Sequence, residues 1–525
     1  MKYHPLYRLK RSLDAVNGFL HDTAKIYRDW GGRWGLGIGI LAALISCMQF
    51  FSETLLWKFW WIWVLLATVL FVLQCRVWCW WSKKECLQST PERSPWFASL
   101  FIALFTAVLY IARLLDRGIV ESFDTVLQWQ QVQSGCFDDW HPVMHTCTLY
   151  LLSRIWENVY FVAGCFIAVF GGLCGWFYYS MRKWGVRLWL CWLVILFLVI
   201  SPVSMFAMRV LWKDSAFMLT LLAIGIAMMN LYFSGGKWLE KLPNQCLLVF
   251  LLVYGSFVRH NGIFFTWSFI LLLPLMAENR QLRRKFIILS CITAALCAGY
   301  IGGRSVLLKH HIIKPNDKPQ TFHESVGIPM SMMTHAFVTA PEKLPPEVID
   351  FMTQVMPWEK WKEYYTGDFN SVKFNAPGNL MGDISKKEFT RLFIMTLQAA
   401  PQESLYAMKH VTAVAWDPVW NSFGDMEVIH SIEQKYPWLP VLKLGWLWTA
   451  PGLYVWLLMI LTLFLLPVKG GKVLFMSLPF IVYNYGTALL LMGWDQRFFW
   501  GVIIGSLPVL IALATAGNKK RLCSK

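Results

Sequence analysis

Cysteine is missing where an extracellular domain would most use it. The longest polar stretch, about 309–445, contains none, and the 13 cysteines of the chain sit mostly inside apolar runs. A disulfide framework is therefore excluded as what holds that stretch together. Charge is scarce as well: 15% of the 525 residues are Asp, Glu, Lys or Arg, against about a quarter in ordinary soluble domains. No P-loop, dinucleotide fingerprint or GxSxG elbow occurs, so an ATP-driven pump or a serine hydrolase has no motif to rest on. Cys75, Cys79 and Cys86 have no ligand-like histidine near them. His310, His311, His323 and His335 lack the carboxylate spacing of a metal cage and read as structural or solvated. We therefore expect no metal and no cofactor. A cleavable signal peptide is not visible: residues 1–33 are polar and basic, and the first apolar run meets no small-residue cleavage site before the second. Nor is there an internal repeat of the transporter kind.

Apolar sequence in bilayer-crossing lengths is what the chain does have. It is 57% hydrophobic and 16% aromatic, with a mean hydropathy of +0.46, far beyond what a soluble core of this size needs. The 30 tryptophans suit a protein with many membrane interfaces, where indole rings collect. A net charge of +17 invites a nucleic-acid reading, but the basic residues lie mainly in short loops between apolar runs. That distribution sets orientation in a membrane, and no basic soluble module is left over to bind nucleic acid.

Taken in order, 1–33 carries Lys2, Arg8, Lys10, Arg11, Lys25, Arg28 and Arg33, with Leu6, Leu9, Leu13, Val16 and Leu20 at helical spacing. It reads either as an amphipathic helix on the cytoplasmic leaflet or as a solvated basic tail. Spans are expected at about 34–52, 55–81, 95–114, 159–180, 187–207, 214–234, 245–258, 262–277, 286–305, 448–467, 472–492 and 498–516. The clusters around Lys83, Arg182, Lys237, Arg283 and Lys519 then fall on one side, as the positive-inside rule requires. The expected architecture is thus an all-α polytopic membrane protein of about twelve helices in the cell membrane, with both termini cytoplasmic. Its parts are the segment 1–33, an N-terminal membrane region 34–305 with an outer loop at 115–158, an extracytoplasmic insertion at 306–447, and C-terminal spans with a basic tail at 448–525. Within the outer loop, 142–156 is too short to span comfortably and is expected to lie in the interface.

With this topology, the unusual ionisable residues converge on the outer face. The loop 122–146 contributes Asp124, Asp138, Asp139 and His141, along with His145 and a row of glutamines at 128, 130, 131 and 133. Lys213 and Asp214 follow in RVLWKDSAF, Arg259, His260 and Asn261 in FVRHNG, and Asp495 and Arg497 in GWDQRFF. Any one of these is explained by a helix end solvated by headgroups. Four separated segments with mixed charges at one depth suggest a shared cavity. Acids beside bases suit transfer from a phosphate-linked donor, where a carboxylate takes the acceptor's proton and Arg or Lys stabilises the departing phosphate. Asp124 is the candidate base, its rival role being a helix cap for Thr125 onward. Arg259 is the first phosphate candidate because guanidinium binds bidentately, and Lys213 the second. Asp138 and Asp139 either bind sugar hydroxyls or flank a turn, and Asp495 with Arg497 is either a site pair or a surface pair.

Together the outer-loop Asp, the DxHP-like turn at 139–142, the KD pair, the RxNG segment at 259–262 and the late DxR at 495–497 resemble bacterial GT-C-type membrane glycosyltransferases. The likeness is nearest to an uncharacterised glycosyltransferase-like family with an SxxIP segment, here 325–329, and a P-x-x-Y-like element, here near 401–406. The resemblance implies a polyprenyl-phosphate-sugar donor, a glycan or lipid-linked acceptor, transfer outside the cytoplasmic membrane, and a base at Asp124. Relatives often place two acids together at that position, and here Asp124 has only Glu121 near it. A polysaccharide polymerase or ligase, or a lipid-linked glycan transporter without chemistry, are the alternatives.

Overall fold

The computed structural model describes residues 89–92, 94–315, 325–376, 384–418 and 446–515. The basic segment 1–33, the first two expected spans and the C-terminal tail lie outside the described residues. What is described is helical throughout, apart from a two-residue parallel pairing of β1 (Phe137–Asp138) with β2 (Ile313–Lys314).

Among the described residues, five helical stretches are long and apolar enough to cross a membrane: α1 (Trp96–Arg117), α4 (Val159–Lys183), α7 (Lys213–Phe233), α10 (Arg280–Lys309) and the stretch Gln496–Thr515. The last is built from a 3-10 turn (Gln496–Phe499), α19 (Trp500–Gly505) and α20 (Leu507–Thr515). At 1.5 Å per residue, 21 residues make about 31 Å, the thickness of the hydrocarbon layer. Shorter apolar helices lie between them: α5 (Leu188–Ile200), α6 (Pro202–Ala207), α8 (Leu242–Val258) and α9 (Gly262–Leu272). The expected span 187–207 is therefore two helices. Ser201 is extended in ψ, and Pro202 supplies the preset first turn of a new helix rather than continuing the old one.

Helix α7 is the axis. Its apolar window is 100% buried, whereas that of α10 is 17% buried and that of α1 is 28%. An all-round apolar helix enclosed by others is what this pattern demands, while α1 and α10 offer apolar faces outward. Close packing at the axis depends on small residues. A Cβ on Gly225 would meet the carbonyl oxygen of Gly505, so α7 and α19 touch backbone to backbone. Gly171 and Gly175 likewise bring α4 against Ala103 and Ser99 of α1.

The turn between α8 and α9 is tighter still. Arg259 leaves the helix in an extended conformation, its carbonyl accepts the Gly262 amide at 3.0 Å, and a Cβ on Gly262 would meet the Gly255 carbonyl oxygen and the Phe217 ring. Gly262→Ala is therefore expected to open this turn and shift Arg259. Circular dichroism and thermal unfolding of the purified variant should show a loss of about 1–3 kcal/mol. An unchanged melting point would mean that the turn tolerates the added carbon.

A second apolar core lies in the described part of the segment between β2 and the last spans. It gathers Phe337 of α11 (Gly327–Thr339), Met352 of α12 (Pro346–Val355), Trp361 of α13 (Trp358–Tyr364), Phe369 of α14 (Phe369–Asn375) and Phe389 of α15 (Lys386–Ala399). Helix α16 (Pro401–Trp416) joins this core to the membrane helices: its Ala407, Val411 and Val414 pack with Ile328, Met332, Leu491 and Phe499. Two further apolar helices, α17 (Pro451–Lys469) and α18 (Gly471–Ala488), precede the last membrane-length stretch.

Candidate functional site: a polar cluster above helix α7

Three elements meet at the N-terminal end of α7. The outer loop brings α2 (Phe123–Ser134), followed by β1 and then α3 (Val143–Ser153). The α8–α9 turn brings Arg259, and the loop before α19 brings Asp495 and Arg497. Helix α2 begins with Ser122, whose hydroxyl accepts the Thr125 amide at 3.2 Å and the Trp212 indole N–H at 2.5 Å. The cap role is thus filled by Ser122. The Asp124 carboxylate, in the first turn, is left to face the cluster.

It faces two cations from distant parts of the chain. Asp124 Oδ2 lies 3.3 Å from Lys213 Nζ and 3.4 Å from Arg497 Nη1. Burial alone would raise the carboxyl's pKa, but Lys213 and Arg497 outweigh it and hold Asp124 below the usual carboxylate range. Lys213 Nζ also lies 3.4 Å from His141 Nδ1. The His141 ring is 1% exposed, and burial together with the Lys213 charge pushes its pKa down to about 3, so it is neutral at pH 7. With Nδ1 accepting from Lys213, Nε2 carries the proton, and that buried atom has no hydrogen-bond partner. His145 repeats the arrangement one turn along: Gln128 Nε2 donates to its Nδ1 at 3.0 Å, its Nε2 is buried without a partner, and its ring lies parallel to Phe166.

Arg259 is held differently. It is 5% exposed, ion-paired with the buried Asp214, and its Nε donates to Asn261 Oδ1 at 2.6 Å. Asn261 in turn donates to Thr487 Oγ1 of α18 at 2.7 Å. The guanidinium carbons of Arg259 and Arg497 both lie against the Phe498 ring, at 4.3 and 5.3 Å, and Arg497 also covers Trp212 at 4.8 Å. Asp495 fixes Arg497 from its own loop, with Oδ2 at 2.6 Å from Nε and Oδ1 accepting the Arg497 amide at 3.1 Å. Of the three cations, Arg497 and Lys213 keep side-chain surface (26% and 16%), and Arg259 almost none. Arg259 is thus committed to Asp214, and the accessible cationic surface of the cluster belongs to Arg497 and Lys213.

The remaining expected residues stand at the margin. Asp138 accepts the Trp140 amide at 3.0 Å, and its own amide is held by Gln131 Oε1 at 3.2 Å, so it shapes the turn before His141. Asp139 is ion-paired with Arg304 near the end of α10, its Oδ1 receiving Arg304 Nε at 2.8 Å. His260 is exposed, beside the backbone of Trp140. Arg304, Trp212, Thr487 and Phe498 were not singled out from sequence, and Gln128 was named only as one of a row. A glutamine among four, or an arginine at the end of an apolar run, gives no signal of its partner. Among the described residues, no three His, Cys, Asp or Glu side chains gather as a metal-binding set.

Fold and site together define a class: a helical protein with several membrane-length apolar helices and an acid–base cluster at the end of the central one. Beyond the class the comparisons add nothing, since no family model, no curated protein and no solved structure matches the chain.

Proposed function

We propose that the protein is an integral-membrane glycosyltransferase that moves a sugar from a polyprenyl-phosphate donor to a cell-surface glycan or lipid-linked acceptor. Its catalytic carboxylate is Asp124, and it works on the extracytoplasmic face. The observation that carries this reading is the position of Asp124 between Lys213 and Arg497, a base beside two partly accessible cations at the mouth of a membrane bundle. The likeness of the short motifs to GT-C-type enzymes supports it. So do the apolar runs, which in this reading make about twelve spans, with the second core as an outer domain.

The chemistry follows from the ion pairs. In the resting site Asp124 is a weak base because two cations stabilise its charged form. A donor phosphate would compete for those cations. As Lys213 and Arg497 turn to the phosphate, Asp124 loses its partners and becomes basic enough to take the acceptor hydroxyl's proton. The cations meanwhile stabilise the charge that grows on the leaving phosphate as its bond to the sugar breaks. The neutral His141, buried behind the cluster, holds Lys213 through its Nδ1 and so helps to aim that cation. Donor binding and activation of the base are thereby one event.

The direct test is transfer of a labelled hexose from synthetic polyprenyl-phosphate-hexose by the purified protein in proteoliposomes. Absence of transfer with every common hexose would remove the reading. A finer test uses pH. Activity needs ionised Asp124, so it falls as pH drops through that residue's pKa. Lys213→Met removes one cause of the depression, and the acid limb of kcat/KM should move to higher pH, with Arg497→Gln acting in the same direction. An unmoved limb would mean another group titrates. The topology has its own check. Cys136 is exposed in the outer loop, and a membrane-impermeant maleimide should label it in sealed right-side-out vesicles, as peptide mapping would show. Labelling only after permeabilisation would put the cluster on the cytoplasmic face.

A further inference from the structure

Beside the charged cluster lies a strip of rings that the transfer chemistry does not use. Helix α16 presents Glu403, Tyr406 and His410 on one face at helical spacing, and α11 brings His335 across from it. The ring centroids of His335 and Tyr406 are 4.9 Å apart with planes 23° from parallel, and those of Tyr406 and His410 are 5.9 Å apart at 15°. The edge of His410 meets Trp494 at 4.6 Å, and the Trp494 indole donates to the His410 carbonyl at 3.1 Å. Tyr406 is 49% exposed, unusual for a ring at the meeting of two helices. Glu403 closes the strip at one end, paired with Lys343 at 2.5 Å.

The geometry points to this strip as a saccharide-binding surface that seats the acceptor sugar next to the Asp124 cluster. The exposed half of the Tyr406 ring carries partial negative charge, and the C–H face of a pyranose presents weakly positive hydrogens to it. Burial lowers the pKa of both His335 and His410, so both imidazoles are neutral at pH 7 and add ring surface instead of charge. Glu403 can accept hydroxyl protons at the rim. Position selects the acceptor. Trp494 stands in the same short loop as Asp495 and Arg497, so the strip adjoins the cluster, and it is carried by α11 and α16 of the second core. A lipid-borne donor would come to Arg497 and Lys213 from the bundle, leaving this side for a substrate without a lipid tail. The assignment as acceptor site rests on the transferase reading; the affinity for saccharide does not.

The experiment is saturation-transfer NMR on the full chain in lipid nanodiscs, with the methyl glycosides of glucose, galactose, mannose and N-acetylglucosamine. At least one should bind, with transfer concentrated on the protons of one sugar face. Tyr406→Ala should weaken it about three- to tenfold, the worth of an aromatic contact, while Tyr406→Phe retains it. In an active preparation Tyr406→Ala should raise acceptor KM and leave kcat near wild type. Wild-type protein that binds none of the four glycosides, or Tyr406→Ala and His410→Ala proteins that fold and bind like wild type, would overturn the inference. Protein that binds glycoside but transfers no sugar would sink the transferase reading alone, and protein that transfers sugar yet binds no glycoside would sink only the strip.

Discussion

Asp124→Asn is expected to lower sugar transfer by about 10²- to 10⁴-fold, the usual contribution of a positioned general base. Asparagine keeps the size of the side chain and one acceptor oxygen, and removes the charge and the basicity. The fold should survive, because Lys213 and Arg497 retain 16% and 26% of their side-chain surface and can turn to water. Thermal unfolding should therefore move little. Donor affinity should hold or improve, since the carboxylate that competes with phosphate for the two cations is gone. A loss confined to kcat, with KM for the donor unchanged or lower, is the signature of this arrangement. Full transfer by Asp124→Asn would reject Asp124 as the base.

The cluster was legible in sequence because of cost. A charge at the end of an apolar run has to be compensated, and Asp124, Lys213, Asp214, Arg259, Asp495 and Arg497 all sit at such ends. The structure joins Asp124 to partners 89 and 373 positions away. Pattern alone could not give the pairing. It assigned Arg259 to phosphate and left Asp495 undecided, whereas burial commits Arg259 to Asp214, and Asp495 holds Arg497 in place. Arg304 was hidden for the opposite reason: at the end of a long apolar helix an arginine that only snorkels and one that grips Asp139 look alike. Among the helices, hydropathy found the apolar runs but not their interruptions. In 187–207 the run is continuous in composition, and the break comes from the backbone at Ser201 and Pro202. The ring strip was missed because His335, Tyr406, His410 and Trp494 come from three segments: His335 read as structural or solvated, Tyr406 only as the end of a short motif, and nothing in sequence joins them.

The largest effect on stability should come from the pair beneath the site. Asp214 is 1% exposed and Arg259 5%, so neither can recruit water when the other is removed. Breaking a buried pair from one side leaves an uncompensated charge, at a cost of about 3–5 kcal/mol. Asp214→Ala should therefore unfold far more readily in denaturant than wild type, and Arg259→Met should do likewise by stranding the carboxylate. The double variant Asp214→Leu/Arg259→Met should recover most of the loss, since an apolar pair of similar volume replaces two desolvated charges. Recovery of stability without recovery of transfer would show that the pair serves the site, through Asn261 and the shared Phe498 ring that sets Arg497. Recovery of both would make the pair dispensable to the chemistry. If the single variants cost less than about 1 kcal/mol, well under the range for a buried pair, water reaches these groups and the cluster is open from below.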